Sequence, residues 1–538
     1  MKSLSTIFTI FLILSINAFC SIYHVKIDGN DENSGLSWNE PFLTLQKALD
    51  MAQEGDQIWV AEGIYKPTYD YGLNIGEQGK HFKLKSGVGL FGGFPADCEP
   101  TFEDRDHYKH QTILCGDLND DDHWNETEMM WENREDNCFH VFYMPDFLNL
   151  NAQNVLDGFV IRNGHALKTD ENKNPFGFGG GVFLMGNILQ INNCIFKHNF
   201  ADYGAAIGVF NANRSSGNAK LELNNSMLID NIAQQSGGGM SIYADVKLVN
   251  CVIARNRAIE KSGGGIDGYF NTTKTSGLNI YNCTIADNTS NEFGGGLFLW
   301  SQNTQEMVLP AGDVTILNSI IFGNITATHS ASNEIFGVYV SSTTSENTGK
   351  VYIHHSILGG GYSSQSGNCF VISDTKSQNP KFVGTGEHPY MIQQTSPCLD
   401  AGSSIPLHAN NEPFDIRGSK FPRKLNGHDG TEGTIDIGAY EFNVNQDAVS
   451  VEEFDIAFGI FPNPATEYIE IRFSSINHTV NRMVENDSEI QILNTLGDCV
   501  MTVETWHAVS LQRIDVSHLP PGVYFLRIGD KTRKFVKV

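Results

Sequence analysis

Five segments between residues 189 and 324 repeat one pattern of apolar and polar positions. Each reads apolar-x-apolar-x-Asn, then Cys or Ser, then x-apolar-x-x-Asn, and a worn sixth copy covers 351–361. The first Asn residues of the five copies are 32, 25, 32 and 36 positions apart. Alternation with a period of two predicts short strands, and repeats of this size without a helical stretch predict a solenoid. The copies are LQINNCIFKHN (189–199), LELNNSMLIDN (221–231), KLVNCVIARN (247–256), LNIYNCTIADN (278–288) and VTILNSIIFGN (314–324).

The repeat predicts an all-β fold, a right-handed parallel β-helix whose coils each contain about three short strands. The first Asn of each copy is expected at a bend, because Asn tolerates the left-handed backbone region, and stacked amides there can form a hydrogen-bonded ladder. The small residue that follows is expected to stack inside the solenoid. Glycine clusters such as 237–239 permit sharp turns and close packing of coils. The bend residues are Asn193, Asn225, Asn250, Asn282 and Asn318, and the inner residues are Cys194, Ser226, Cys251, Cys283 and Ser319.

The N-terminal region contains the one clear helical pattern. A helix is predicted over about 43–53, with apolar residues on one face. A helix over the first coil protects an otherwise open sheet edge. We therefore expect the β-helix to cover 21–442, with an N-terminal cap at 21–67 and a C-terminal cap motif at 396–442.

The chain begins with a pattern typical of export. Residues 1–20 contain one Lys, an apolar run and then small residues, which predicts a signal peptide too short to span a membrane. No later apolar run is long enough to span one. Export permits disulfides among the nine cysteines that follow Cys20, and buried free thiols are the alternative. The conceivable pairs are Cys98 with Cys115 or Cys138, and Cys369 with Cys398.

Several motifs of the repeat region resemble those of bacterial surface proteins. FKHN (196–199) beside GAAI (204–207) resembles the paired FxxN and GGAI motifs of polymorphic outer-membrane adhesins. A second series of motifs runs GVGLFGGF (87–94), TILCGDLNDDD (112–122), DNCFHVFYM (136–144), LDGFVIRNGHA (156–166), SPCLDAG (396–402), FDIRG (414–418) and DIGAYEF (436–442). This series resembles the family called choice-of-anchor Q over roughly residues 22–442. The resemblance implies a surface β-helix and no assigned reaction.

The last part of the chain has a different character. Alternating segments such as VYFLRI (523–528) predict a small C-terminal β-sandwich. The motifs FPNP (461–464), LNTLG (493–497) and LPPGVY (519–524) are similar to those of the type A C-terminal sorting domain of type IX secretion. The resemblance implies a Bacteroidetes-type bacterium, the type IX secretion machinery as a partner, and removal of the domain on surface attachment or release. We expect this domain at 456–538, after a polar, acidic linker at 443–455.

Charge narrows the range of partners. The chain has 36 Lys and Arg against 62 Asp and Glu, a formal charge of −26. Such a surface disfavours nucleic acid and attracts divalent cations. The stretch CGDLNDDDHWNETE (115–128) has calcium-ligand spacing, but Asp122 stands where a helix-flanked calcium loop needs Gly. A projecting acidic loop is expected instead, solvated or holding calcium through Asp117, Asn119, Asp121 and Asp122.

The residue before each second Asn gives a charged series along the solenoid: His198, Asp230, Arg255, Asp287 and then Gly323. Adjacent coils lie ~4.8 Å apart. If the series stacks, its two carboxylates have a separation suited to glycoside hydrolysis. The alternative is an ion ladder in which the Arg separates the two acids. A further candidate, Asp267, is expected to be an exposed acid.

Two functions from different classes follow. The first is a non-enzymatic surface protein, an adhesin or glycan-binding solenoid whose partner is a polysaccharide or a cell-surface glycan. The second is a polysaccharide lyase or glycoside hydrolase on the same scaffold. The first requires only the fold, the export signals and variable loops. The second requires a catalytic constellation that the sequence does not display, and the fold alone does not decide. Trp124, Trp131 and Trp300 could stack on sugars, whereas Trp59 is expected to be buried.

Overall fold

The computed structural model describes most of the chain. The described residues are 20–70, 76–125, 130–148, 150, 152–167, 177–211, 218–271, 276–303, 312–330, 333–341, 350–364, 369–403, 414–423, 435–442, 458–461, 465–466, 468–473, 490–494, 499–503, 511–528 and 531–538. The predicted signal peptide, apart from Cys20, and the predicted linker lie outside these residues. By its internal contacts the chain divides into a first unit, 1–381 with 395–441, and a second unit, 382–394 with 442–538.

Parallel sheets build the first unit, and every strand in them pairs with its counterpart in the next coil. Sheet 1 contains Ile22–Val25, Gln57–Ala61, Gly89–Phe94, Asn154–Asp157, Ile188–Asn192, Lys220–Asn224, Asp245–Val249, Gly277–Tyr281, Val314–Leu317, Val351–His354 and Phe370–Ser373. Sheet 2 contains Gly63–Tyr65, Thr112–Cys115, Phe159–Arg162, Ile195–Lys197, Met227–Ile229, Val252–Ala254, Thr284–Ala286, Ile320–Phe322 and Ile357–Leu358. Sheet 3 contains His165–Ala166, Phe200–Tyr203, Ile232–Ser236, Arg257–Ala258, Thr289–Ser290 and Ile325–Thr326. Sheet 4 contains Phe142–Met144, Val182–Met185, Ile207–Phe210, Met240–Tyr243, Ile266–Asn271, Leu297–Asn303, Ile335–Ser341 and Tyr362–Ser364.

This arrangement is the predicted right-handed parallel β-helix, the hand that parallel crossover connections favour. Its central coils have four strands rather than about three. The glycine clusters cause the difference, because they break the chain between sheets 3 and 4. Gly237, Gly263 and Gly294 have φ of 71°, 70° and 59°. A Cβ on Gly264, which follows Gly263, would lie 2.4 Å from the Gly295 carbonyl oxygen of the next coil. The predicted role of glycine in turning the chain and admitting the next coil is confirmed.

The core is a continuous column of apolar side chains inside the coils. Alternation along each strand places one side chain in two inside; in sheet 2, Phe196, Leu228 and Ile253 occupy equivalent positions and are fully buried. Cys194, Ser226, Cys251, Cys283 and Ser319 are also fully buried. They are linked from coil to coil, as in the 3.1 Å bond from the Cys194 amide to Ser226 Oγ. Their predicted inward stacking is confirmed.

The left-handed bend and the amide ladder were both predicted at the first Asn of each repeat, but they occur at different Asn columns. The first column adopts the predicted left-handed backbone, with φ between 48° and 52°. The continuous amide ladder, however, runs through the second column, whose fully buried side chains bond from coil to coil. Its links are Asn199 to Asn231 (3.0 Å), Asn231 to Asn256 (2.9 Å), Asn256 to Asn288 (3.0 Å) and Asn288 to Asn324 (2.9 Å). The first column has one such link, from Asn250 Nδ2 to Asn225 Oδ1 (3.0 Å). The continuous ladder therefore lies one bend further along each coil than predicted.

The helix spans Leu45–Met51 and is shorter than predicted. Thr44 is its N-cap, and the Thr44 Oγ1 accepts a hydrogen bond from the Lys47 amide. Leu45, Ala48 and Leu49 are buried in the same core as the first coils. Short 3₁₀ helices occupy Glu77–Gly79, Phe102–Asp104 and Asp146–Leu148. The helix thus covers the apolar end of the solenoid.

The segment predicted as a C-terminal cap motif lies along the side of the solenoid. Asn250 Nδ2 donates to the Phe414 carbonyl (2.7 Å) and its Oδ1 accepts from Arg423 (2.7 Å). Two coils on, Asn318 Nδ2 donates to the Ser403 carbonyl (3.0 Å). Buried ion pairs stiffen the segment, such as Arg423 with Glu441 at 3.1 Å. The described residues of this segment thus bind the corner between sheets 1 and 2 at Asn250 and Asn318, two of the five Asn residues of the first column.

The second unit contains two antiparallel sheets. One contains Phe458–Phe461, Tyr468–Phe473 and Leu511–Asp515; the other contains Cys499–Val503, Ile490–Leu493, Gly522–Ile528 and Lys531–Lys537. Side chains of both sheets, including Ile469, Ile492 and Leu526, form one core. This is the predicted small β-sandwich.

All ten cysteines are free thiols. Cys98 therefore forms no disulfide with Cys115 or Cys138, and Cys369 forms none with Cys398. Of these five cysteines, only Cys98 is exposed. Among the described residues, no helix is long and apolar enough to cross a membrane.

Candidate functional site

The charged series stacks at the bend between sheets 2 and 3. His198, Asp230, Arg255 and Asp287 all have φ of 56° or 57°. This left-handed conformation is uncommon for such residues. It does not dictate their side chains, since three residue types, His, Asp and Arg, share it. The structure brings Asp230 and Arg255 together in a bidentate pair, with Arg255 Nε at 2.8 Å and Nη2 at 2.6 Å from the two carboxylate oxygens.

The second acid of the series has a different environment. A Cβ on Gly323, the next residue in the column, would lie 2.8 Å from Asp287 Oδ1. Behind it, the buried carboxylate of Glu334 accepts from Asn324 Nδ2 (2.6 Å) and ends the amide ladder. Burial raises the pKa of Glu334 to about 7, and Asp287 adds to the rise.

Asp267 does not occupy the exposed position that the sequence suggested. It lies on sheet 4 beside Ser241 and Phe298 in register and is 6% exposed. Its carboxylate accepts a long bond from Ser241 Oγ (3.4 Å). Burial raises the pKa of Asp267 to about 7. The glycine turn before the neighbouring sheet 4 strand packs against Asp267: a Cβ on Gly237 would lie 3.2 Å from Asp267 Cβ.

A hairpin of His123–Asn125 and Met130–Glu132 brings two indole rings to this part of the solenoid. Trp124 and Trp131 face each other across it, with ring centroids 5.7 Å apart and an edge-on geometry. Trp131 also packs on His198, at 4.7 Å between ring centroids. Trp124 is 39% exposed. The hairpin thus places aromatic surface beside the charged series.

The base of the hairpin is held by an ion pair that the sequence did not reveal. Arg134 Nε lies 3.7 Å from Asp122 Oδ2, with both side chains buried, and Arg134 Nη2 donates to the His198 carbonyl (2.7 Å). Asp122 Oδ2 accepts further bonds from Asn137 (3.0 Å) and Asn163 (2.8 Å). Burial raises the pKa of Asp122 to about 6. Asp122 therefore anchors the hairpin to the coil, and its carboxylate is not among the three that cluster nearby.

Two of the other three candidate calcium ligands do approach each other. Asp117 and Asp121 offer carboxylate oxygens that, with one from Asp136, all lie within 4.8 Å of one another. Asn119 donates its backbone amide to Asp136 (2.9 Å). Oxygen ligands of this kind suit Ca²⁺. Asp136 was missed because it follows the hairpin, away from the acidic run in sequence.

An aromatic ladder on the outer face of sheet 4 was also missed, apart from Trp300. Phe210, Tyr243, Tyr269 and Trp300 stack from coil to coil with centroids 4.4, 5.2 and 5.6 Å apart and planes within 20°. Because each ring covers the faces of its neighbours, the faces that would stack on a sugar are occupied. Such pairs contribute ~0.5–1.5 kcal/mol each, so the ladder primarily stabilises the coils. Trp59, expected to be buried, is only partly buried, because it alternates with the inward-facing Ile58 and Val60; it stacks on Phe94 at 4.9 Å.

Comparison with known proteins identifies the end of the chain. A family model described as a secretion system C-terminal sorting domain matches residues 459–538. The chain therefore ends in a type IX sorting domain, and the protein is exported to the cell surface or the extracellular space. No curated protein matches the sequence.

Solved structures resemble the chain at the level of the fold. Pectate lyase Pel9A is 14% identical with a TM-score of 0.38, over 79% of this chain and 96% of that chain. A rhamnogalacturonan lyase is 12% identical with a TM-score of 0.33, over 68% and 91%. The complex of XylC with xylose is 12% identical with a TM-score of 0.26, over 67% and 87%. At these values the likeness carries no argument about activity.

Proposed function

We propose that the protein is a non-enzymatic, glycan-binding solenoid of the choice-of-anchor Q type, displayed or released by type IX secretion. The observation that carries the proposal is the Trp124–Trp131 hairpin beside the charged series. Indole rings combine a large apolar surface with a hydrogen-bond donor, which suits the mixed apolar and hydroxyl surface of a sugar. The glycan would lie across the outer face of sheet 2, next to His198.

The environments of the candidate acids favour binding over hydrolysis. A hydrolase requires two carboxylates, one as an acid and one as a base or nucleophile. Asp230 is held by Arg255 in a bidentate pair, and Asp267 is buried on another sheet. Neither has the open position opposite a second acid that the reaction requires.

One observation favours the alternative, a polysaccharide lyase. Burial and the neighbouring Arg162 lower the pKa of the Lys197 amine, and an amine of lowered pKa is a better general base near neutral pH. A lyase would release unsaturated sugars, whereas a binding protein leaves the polymer intact. The two functions are therefore separable by product.

Substitution of the indoles tests the binding surface. We expect Trp131→Ala and Trp124→Ala to weaken binding to a retained polysaccharide by about tenfold, since each removes ~1–3 kcal/mol of aromatic contact. Tyr362→Ala, at a 48% exposed aromatic residue of sheet 4, is the matched control. Affinity electrophoresis in gels containing each of a panel of polysaccharides measures the effect. Unchanged mobility of both Trp variants would contradict the proposed surface.

A further inference from the structure

Two cations lie side by side on the outer face of sheet 2, near the hairpin. Arg162 and Lys197 are directly paired in the register of adjacent strands. Their neighbours Ile161 and Phe196 point inward and are fully buried, so both charged side chains point outward. Adjacent strands are ~4.8 Å apart. The two positive charges are therefore close neighbours on one face.

This pair lacks the compensation that the surrounding charges have. Among the residues that the structure describes, neither cation has a carboxylate within 4.0 Å, whereas Arg134 lies 3.7 Å from Asp122 and Arg255 lies 2.6 Å from Asp230. Like charges directly opposite on neighbouring strands are destabilising. Asp230 acts on Lys197 from a distance, but its carboxylate is already bound by Arg255. In a chain with a formal charge of −26, a cationic pair without a directly bonded acid is a local exception.

Further observations indicate that a ligand group belongs here. Arg162 Nε is buried and has no hydrogen-bond partner among the described residues, which is costly for a charged donor. The Arg162 guanidinium interacts with the Cys115 thiol, a weak partner for a charged donor. Lys197 is partly buried; burial and Arg162 lower its pKa, and Asp230 opposes the fall. A bound oxyanion would satisfy the buried donor and neutralise the repulsion at once.

His198 and Trp131 lie beside the cationic pair. His198 follows Lys197 and packs on Trp131. Burial lowers the pKa of His198 to about 4; Lys197, Arg134 and Arg162 add to the fall, and Asp230 opposes it. The imidazole is therefore neutral near pH 7 and offers a hydrogen-bonding edge rather than a third charge.

We propose that Arg162 and Lys197 form a subsite for the carboxylate or sulfate group of an acidic polysaccharide, with His198 and Trp131 against the sugar ring. This inference rests on the proposed glycan-binding function and narrows it to anionic glycans. No covalent step is involved.

The test compares Arg162→Gln/Lys197→Gln with a charge-matched control, Lys109→Gln/Lys420→Gln, at two exposed lysines. Affinity is measured by calorimetry against polygalacturonate, chondroitin sulfate and uncharged dextran. We expect the first variant to lose on the order of tenfold or more in affinity for whichever charged polymer binds, and the control to change less than about twofold. Relief of repulsion also predicts that the ligand-free variant melts no lower than the wild type.

Salt dependence of wild-type binding supplies a readout that needs no variant. Affinity for the acidic polymer should fall as NaCl rises, because screening weakens charge-assisted contacts. Binding of both acidic polymers unaltered in Arg162→Gln/Lys197→Gln would overturn the subsite, as would equal binding of dextran. Absence of binding to every polymer in the panel would instead overturn the proposed function on which it rests.

Discussion

Burial of Asp267 raises the pKa of its carboxyl and thereby makes the stability of the fold depend on pH. With a folded pKa of about 7, this carboxyl holds its proton in the folded state when the unfolded chain, with a pKa near 3.8, has lost it. The contribution to stability is fully present below the unfolded pKa and is lost as pH rises through about 7. The cost of ionising a buried acid thus appears at neutral pH.

We predict that Asp267→Asn raises the melting temperature at pH 8 and leaves it nearly unchanged at pH 4. The amide keeps the shape and removes the buried charge, and each pKa unit corresponds to ~1.4 kcal/mol. Asp28→Asn, at a side chain 72% exposed, is the control and should show no such pH dependence. Equal effects of Asp267→Asn at both pH values would contradict the assigned burial.

The acidic trio of Asp117, Asp121 and Asp136 makes a second prediction at this scale. We propose that it holds calcium, because carboxylates this close repel one another without a cation. Calcium should raise the melting temperature relative to chelator in the wild type, by mass action on the folded state. Asp136→Asn should reduce that shift, while Asp97→Asn should not. Identical melts of the wild type with calcium and with chelator would remove the site.

At the scale of elements, the amide ladder carries the coil-to-coil register. Asn256→Ala would leave the buried Asn231 backbone amide without its acceptor, and would also remove the Asn256 side-chain bonds to Asn231 Nδ2 and Asn288 Oδ1. The unsatisfied amide costs ~1–3 kcal/mol and each lost hydrogen bond ~1 kcal/mol, so we expect a loss of about 2–5 kcal/mol in the free energy of unfolding. Denaturation by urea measures it, with Thr315→Ala on the outward face of sheet 1 as the control. A loss no larger than the control's would argue against the ladder.

The repeated elements could be predicted from the sequence, but one interaction between them, the amide ladder, was misplaced. Apolar alternation and the Asn bends predicted the solenoid, its inner Cys and Ser column and its left-handed turns. The ladder was assigned to the wrong Asn column because both columns recur with the same spacing. A left-handed residue such as His198 resets the alternation, so the parity of the following Asn199 cannot be counted across the bend.

The candidate site could be predicted only in part, because some of its residues lie outside the repeat. His198, Asp230 and Arg255 were identifiable because they share one repeat position. Trp131 and Arg134 meet them from a hairpin inserted between coils, and no periodicity in the sequence connects a hairpin to the coil on which it folds. Asp267 was misplaced because one of the glycine turns packed on it, at Gly237, lies on the preceding coil.

At the scale of the whole molecule, the C-terminal end separates transport from binding. The sorting domain matched over 459–538 has a core of its own. We predict that deletion of 459–538 abolishes surface exposure and leaves a folded β-helix inside the cell envelope, as measured by protease accessibility of whole cells and by melting of the purified chain. Normal surface exposure of the truncated chain would contradict the assignment.

The outer surface of the solenoid is divided between structure and binding. The C-terminal segment 395–441 covers the corner at Asn250 and Asn318, and stacked rings occupy sheet 4. The face near the hairpin is where we propose that the glycan binds. Binding there without chemistry is the central claim.

That claim is tested most directly by incubating the purified protein with each acidic polysaccharide and measuring both retention and chain length. Ultracentrifugation gives the bound fraction, and size-exclusion chromatography with absorbance of unsaturated products gives cleavage. We predict retention of at least one acidic polymer with no shortening of its chain and no unsaturated product. Progressive shortening that is lost in Lys197→Gln would contradict the account and assign the site to a lyase.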